Sequence, residues 1–289
     1  LLTACTPHLV TMNLHFLTEP LFTFLLLLFV FTLSRARPEN RASYFLALGA
    51  VIGLATLTRP WIQGYLLVLV AWFVLSSWQR DWKKLSLVVV GTALLLAPWL
   101  IRNEITLGFP ADPSLSGNSI RHGMYPDMMF EGKEETLGYA YNYDPMAPEL
   151  EKSTAATIRE IRRRAAAEPA TYLRWYLGGK AWTVLGWGFM AGADAIFVYP
   201  VTNSPYFRLP SFYLSSYYLE QVHGILMTLA LLGTLAVWLP RRFHVIDDSP
   251  LLFLRALSLL VLYFLVMHSI GAPYPRYSIP LRPILYGLA

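Results

Sequence analysis

Long apolar runs separated by short basic links dominate this chain. Runs at 21–33, 44–58, 61–78, 85–101, 222–239 and 251–270 each predict a helix that crosses a bilayer. The first run is short for a hydrocarbon core of roughly 30 Å at about 1.5 Å per residue. Adding Phe16 and Leu17, or letting Glu19 line a wet cavity, removes the difficulty. Residues 1–15 are apolar but broken by Pro7, and read as the end of a preceding helix followed by an interfacial or re-entrant turn. A seventh run starts near 277 and is too short to span before residue 289. The chain begins at Leu1 without Met, so it reads as a fragment shortened at both ends, in which a missing motif carries no weight.

Between 104 and 216 the pattern changes. Acids, glycines and prolines gather there, and 108–138 reads as loop from Pro110, Asp112-Pro113, Gly117-Asn118, Gly123 and Tyr125-Pro126-Asp127. The alternation at 139–143 predicts a short strand. Residues 148–167 predict a polar helix with Arg159, Arg162, Arg163 and Arg164 in its second half, where cations suit the helix dipole. Pro169 opens a further helix over 172–185 whose Trp175, Tyr176, Lys180 and Trp182 predict a position in the membrane interface. Residues 186–216 read as aromatic loop containing Asn203. Asp144-Pro145 and Asp194 read as turn residues. The chain therefore divides into membrane helices over 1–103, a loop region over 104–216, and membrane helices over 217–289.

Composition agrees with this division. The 289 residues are 55% hydrophobic and only 14% charged, against about a quarter charged in soluble domains. The fold class is an all-α polytopic integral membrane protein with a loop domain of mixed structure. The single Cys5 excludes an internal disulfide and a cysteine-rich metal site. A net charge of +5 arises from basic residues flanking apolar runs, which excludes a nucleic-acid patch.

Lysines and arginines in short loops set orientation. The links at 35–41, 80–84 and 241–242 are basic, and all three share one face if 104–216 begins and ends on the other. The basic face is expected to be cytoplasmic. The opposite face then receives Glu19, Arg59, Arg102, the loop region and Arg276.

Glu19 precedes Pro20 at the mouth of the first span, where proline is tolerated and a carboxylate meets the positive helix end. Two readings stand. Glu19 either caps the helix and faces headgroup water, or belongs to a functional site, because ionisable groups at the hydrocarbon edge are costly. Arginine forks suit phosphate, and a carboxylate can accept a hydroxyl proton. Each arginine taken alone also fits a snorkelling anchor. His122 and His268 have no metal-ligand spacing and read as ordinary loop and helix-end residues, and Gly117-Asn118-Ser119-Ile120 resembles no phosphate loop.

Leu17-Thr18-Glu19-Pro20-Leu21, Gly53-Leu54-Ala55-Thr56-Leu57-Thr58-Arg59-Pro60, Pro98-Trp99-Leu100-Ile101-Arg102-Asn103 and Arg276-Tyr277-Ser278-Ile279-Pro280-Leu281-Arg282-Pro283 follow one another in order. This set resembles polytopic GT-C glycosyltransferases, most of all the bacterial branch similar to protein mannosyltransferases and the aminoarabinose transferase of lipid A. The resemblance implies a polyprenyl-phosphate sugar donor, inverting transfer on the extracytoplasmic face of the bacterial inner membrane, and a lipid, glycan or protein acceptor. It implies that Glu19 is the family's second acid lining the site, and that Arg276 meets the donor phosphate, with Arg102 and Arg59 as further candidates. The family's principal acid would lie upstream of Leu1. No cofactor is implied, and a divalent metal requirement is left open. Rival readings are a transporter or flippase of an amphipathic substrate, which would place polar groups at mid-membrane, and a non-catalytic scaffold.

Overall fold

The computed structural model describes all residues except 1, 2, 4, 5, 14–17, 38, 77–80, 112, 189–208 and 244–246. Cys5, Leu17, Arg80, Asp194 and Asn203 therefore lie outside the described residues. The protein is an all-α polytopic membrane protein, and no strand occurs among the described residues. A short helix α1, Pro7–Met12, precedes α2, Thr18–Arg35. Then come α3, Ser43–Thr58, a 3₁₀ turn at Pro60–Ile62, α4, Tyr65–Leu75, and α5, Trp82–Leu107. Among the described residues four helices are long and apolar enough to cross a membrane, with two shorter apolar segments, Ser43–Thr58 and Pro60–Leu75, beside them.

Helices α3 and α5 meet backbone to backbone. A Cβ on Gly49 would stand 2.0 Å from the Val88 carbonyl oxygen, and one on Gly91 would stand 2.3 Å from that of Leu46. The Thr92 hydroxyl donates to the Gly49 carbonyl at 2.9 Å across this seam. Small residues permit such approach where apolar side chains face lipid and gain nothing by burial. Helix α5 runs past its expected end at 101, through Pro98, and stops at Gly108 in the left-handed region (φ 77°). Proline is tolerated inside membrane helices because surrounding groups re-satisfy the freed carbonyl.

The loop region is helical where loop and strand were expected. Residues Pro113–His122 form α6. Gly117 sits inside it because a Cβ there would come within 2.6 Å of the Thr154 hydroxyl, so the glycine serves close packing rather than a turn. The expected strand at 139–143 is instead a 3₁₀ turn, Ala140–Asn142. Its rings are used in stacking: Tyr141 lies on His122 at 3.9 Å and meets Tyr139 at 6.4 Å, with no neighbouring strand to pair. The expected polar helix is two, α7, Ala147–Glu151, and α8, Thr154–Ala167, divided at Ser153, whose hydroxyl caps α8 by accepting from the Ala156 amide. Next come α9, Pro169–Arg174, a π-helical turn over Trp175–Gly179, and α10, Lys180–Val184.

The C-terminal membrane part holds α11, Pro210–Ala236, α12, Asp248–Ile270, a 3₁₀ segment, Pro275–Leu281, and α13, Arg282–Leu288. Helix α11 starts well before the expected residue 222, with Pro210 in its first turn, where no amide is needed. The bundle core is aromatic. Trp61 meets the rings of Phe22, Tyr263, Phe264 and His268, and the Tyr65 hydroxyl donates to the Ala256 carbonyl at 2.7 Å, which fixes α4 on α12.

One joint ties the loop region to the bundle. The Lys180 ammonium, wholly buried, donates to the carbonyls of Ile270 and Gly271 at the end of α12, and lies 3.9 Å from the Tyr176 ring. The Trp175 indole donates to the Gly123 carbonyl at 3.0 Å. A Cβ on Gly123 would come 2.1 Å from the Gly271 carbonyl oxygen. Burial pushes the Lys180 ammonium down to about 7.

Candidate functional site

The chain alternates direction through its spans, so the start of α2, the end of α3 and the residues after α12 meet at one end of the bundle. Pro20 lies in the first turn of α2 with Glu19 beside it. Glu19 is 2% exposed, so it does not face headgroup water. Its Oε1 is ion-paired with the Arg59 guanidinium, and the Thr18 hydroxyl reaches Oε2 at 3.4 Å. Arg59 is presented by the break between α3 and the turn at Pro60. Proline forces its predecessor to extend (φ −144°, ψ 102°), which turns Arg59 out of the helix toward α2.

The 3₁₀ segment after α12 supplies Tyr274, Arg276 and Tyr277. The Arg59 guanidinium lies 5.5 Å from the centre of the Tyr277 ring, and the Arg276 guanidinium lies 5.6 Å from the same ring. The two cationic carbons are therefore no further apart than the sum of those distances. Tyr277 also meets His268 at 5.4 Å and Tyr274 at 5.6 Å. An acid, two cations and a tyrosine from three distant stretches thus form one contiguous group. The Tyr277 ring holds the Arg276 guanidinium without neutralising it, which leaves its N–H fork available to an oxyanion, whereas Arg59 is paired with Glu19.

Beside this group is a cavity of 470 Å³ walled by Arg59, Trp61, Ser119, His268, Gly271 and Tyr277. Glu19 and Arg276 do not line it. Each touches a residue that does, Glu19 through Arg59 and Arg276 through Tyr277. The Ser119 hydroxyl accepts from the Ala272 amide at 3.2 Å, so α6 closes the cavity against the end of α12.

Arg102 is placed elsewhere. Gly49 packs against Val88 and Gly53 against Thr92 and Leu95, so Arg102 lies beyond the level at which α3 ends. It is exposed, donates to the Asn103 side chain at 3.0 Å and lies 5.7 Å from the Trp99 ring. None of these contacts reaches Glu19, Tyr277 or Arg276. His122 stacks on Tyr141, and burial, then the Arg121 charge, pushes it down to about 4. No group of three or more His, Cys, Asp or Glu with metal-site geometry occurs among the described residues.

Sequence reasoning missed Tyr277, His268 and Ser119 as members of the group. Tyr277 had a signal, since it directly follows Arg276. Ser119 and His268 had none, because only the packing of α6 on α12 brings them to the cavity.

Fold and site define a polytopic, all-α membrane protein with a charged group at one end of its bundle. Residues 1–101 match the family of dolichyl-phosphate-mannose-protein mannosyltransferases, membrane glycosyltransferases of GT-C type. That stretch carries Glu19 and Arg59. No curated protein and no solved structure matches the chain.

Proposed function

We propose that the protein transfers a sugar, with inversion, from a polyprenyl-phosphate donor to a lipid, glycan or protein acceptor at the extracytoplasmic face of the bacterial inner membrane. The observation that carries this reading is the group in which Glu19 pairs with Arg59 while Arg59 and Arg276 share the Tyr277 ring. The match to a GT-C type family supports it independently.

In this reading Arg276 and Arg59 hold the donor phosphate, whose negative charge grows as it leaves. Guanidinium forks stabilise that growing charge more than the ground state. The acceptor hydroxyl oxygen forms a bond to the anomeric carbon, the bond from that carbon to the phosphate oxygen breaks, and the hydroxyl proton passes to a carboxylate. Glu19 lines this site as one such acid. Arg102, exposed on α5, meets the donor only as it approaches. The basic links at 35–41, 80–84 and 241–242 face the cytoplasm, which leaves the Glu19 end and the loop region outside.

The test uses the intact protein in lipid nanodiscs with a polyprenyl-phosphate sugar. Arg276→Ala should weaken donor binding about tenfold or more, as expected for a lost charged hydrogen bond. Glu19→Gln should lower turnover about 100-fold, by more than it alters donor affinity, to which it contributes only through Arg59. Full activity in both variants would defeat the assignment.

A further inference from the structure

A second, larger cavity lies in the loop region, and the reaction scheme above does not use it. It has a volume of 710 Å³, within the range of about 300–1,000 Å³ usual for ligand sites. The 126–132 turn forms one wall, and α8 and α9 form the other.

Its base is rigid and already satisfied. Asp144 is 4% exposed and accepts from the Tyr125 hydroxyl at 2.8 Å, the Met146 amide at 2.8 Å and the Arg164 guanidinium at 2.6 Å. Arg164 also donates to Glu160, to which Arg163 donates from Nε and Nη2. Phe130 presents ring surface over the buried Tyr125, an edge of Tyr172 lies beside it, and Glu131 and Glu168 stand exposed at the rim.

The turn that forms the other wall is held in an unfavourable shape. Asp127, Met128 and Glu131 have φ of 53°, 60° and 53°, which non-glycine residues avoid. Such strain persists where the surroundings over-determine it, and it gathers at binding sites. The Gly138 amide donates to the Met128 carbonyl at 2.9 Å, and the Tyr274 hydroxyl donates to the Gly138 carbonyl at 3.2 Å. Tyr274 is two residues from Arg276, so the turn is tied directly to the charged group at the bundle end.

The lining selects a ligand class. Carboxylates and guanidiniums face the same space, so a ligand of either net charge meets repulsion as well as attraction. Hydroxyl groups suit both, donating to carboxylates and accepting from guanidiniums, and the aromatic rings suit the apolar faces of pyranose rings. We propose that this cleft binds a neutral, hydroxyl-rich oligosaccharide and presents it as the acceptor. Its role as acceptor rests on the glycosyl-transfer reading above; its binding of saccharide does not.

The experiment is saturation-transfer NMR on the intact protein in nanodiscs, with mannotriose as the neutral probe, a sialylated trisaccharide as the acidic one, and an uncharged pentapeptide. Mannotriose should bind in preference to both. Glu168→Gln should weaken it about tenfold, through a lost charged hydrogen bond, and Phe130→Leu about 3- to 10-fold, through lost ring contact. Glu168 is exposed, so its variant keeps the fold. Glu19→Gln and Arg276→Ala should bind mannotriose as well as the unaltered protein does. Absence of mannotriose binding, preference for the peptide or the acidic sugar, or indifference to both cleft variants would overturn the assignment. Sugar transfer without mannotriose binding would remove this site and leave the transferase standing. Mannotriose binding without transfer would do the reverse.

Discussion

The membrane bundle and the α8 part of the loop region bury charge in opposite ways. In the bundle the wholly buried Arg282 donates to the His8 ring at 2.8 Å and the Gly186 carbonyl at 3.2 Å, with the Trp187 ring 5.2 Å away. Its partners are neutral. In the loop region Arg164 sits between two carboxylates, Asp144 and Glu160, both nearly buried themselves. The bundle hosts this cation with a ring and neutral acceptors, as the joint hosts Lys180, whereas α8 of the loop region hosts Arg164 with acids. Glu19 and Arg59 form the exception, an ion pair at the bundle end, and the match to a glycosyltransferase family covers both residues. A buried carboxylate in the bundle thus marks the candidate site more sharply than the arginines do.

If the contrast is right, the bundle should be sensitive to shape and the loop region to charge. The largest effect should follow Gly49→Leu, since even a Cβ there overlaps the Val88 carbonyl. We expect a loss above about 4 kcal/mol, seen as failure to recover monodisperse protein in detergent. Recovery with an unchanged melting temperature would show that α3 and α5 do not meet as described. Asp144→Asn should come next, because it leaves Arg164 with one carboxylate instead of two at the largely buried base of the cleft. We expect a cost of about 3 kcal/mol, read as faster proteolysis within 113–184 while the bundle stays intact. Equal loss in both regions would erase the distinction.

The smallest effect is a pH dependence. His122 is held at about 4, against an ordinary 6.5, by burial and by Arg121, and its other close neighbour is the neutral Tyr141. Between those values the unfolded chain binds a proton that the folded chain refuses. Stability therefore rises with pH across this window and is lost as pH falls from about 6.5 toward 4. Glu160, held low first by its hydrogen bond to Arg163, adds a further loss only at lower pH, below about 4.5. Melting curves of His122→Phe, which keeps the stack on Tyr141, should be flatter than wild type between pH 4 and 6.5. An unchanged slope would assign the acid sensitivity to other groups.

The membrane spans were legible because lipid imposes a coarse rule: a long apolar run with polar ends. The resulting positions erred mainly at Pro98 and near Pro210, where proline is compatible with helix in its membrane or first-turn setting. The loop region was less legible. Gly117-Asn118 signals a turn, yet it lies inside a helix because Thr154 needs the space, and that requirement comes from a residue far along the chain. Asp144 reads as a turn residue and does accept from the Met146 amide, but the Tyr125 and Arg164 contacts that make it central are tertiary. Glu19 and Arg276 were legible as members of an ordered set of motifs. That Tyr277 connects Arg59 to Arg276 required the three-dimensional path.

The joint at Gly123, Lys180 and Gly271 has a mechanical consequence. Three chain segments cross there with no room for a single methyl group, and each is tied by a donor to a main-chain carbonyl. Such a crossing acts as a fixed pivot: the segments cannot slide there without breaking both bonds and opening a void. Gly271 of this crossing also walls the 470 Å³ cavity, so that wall is held fixed while the rest of the cavity lining can move relative to it.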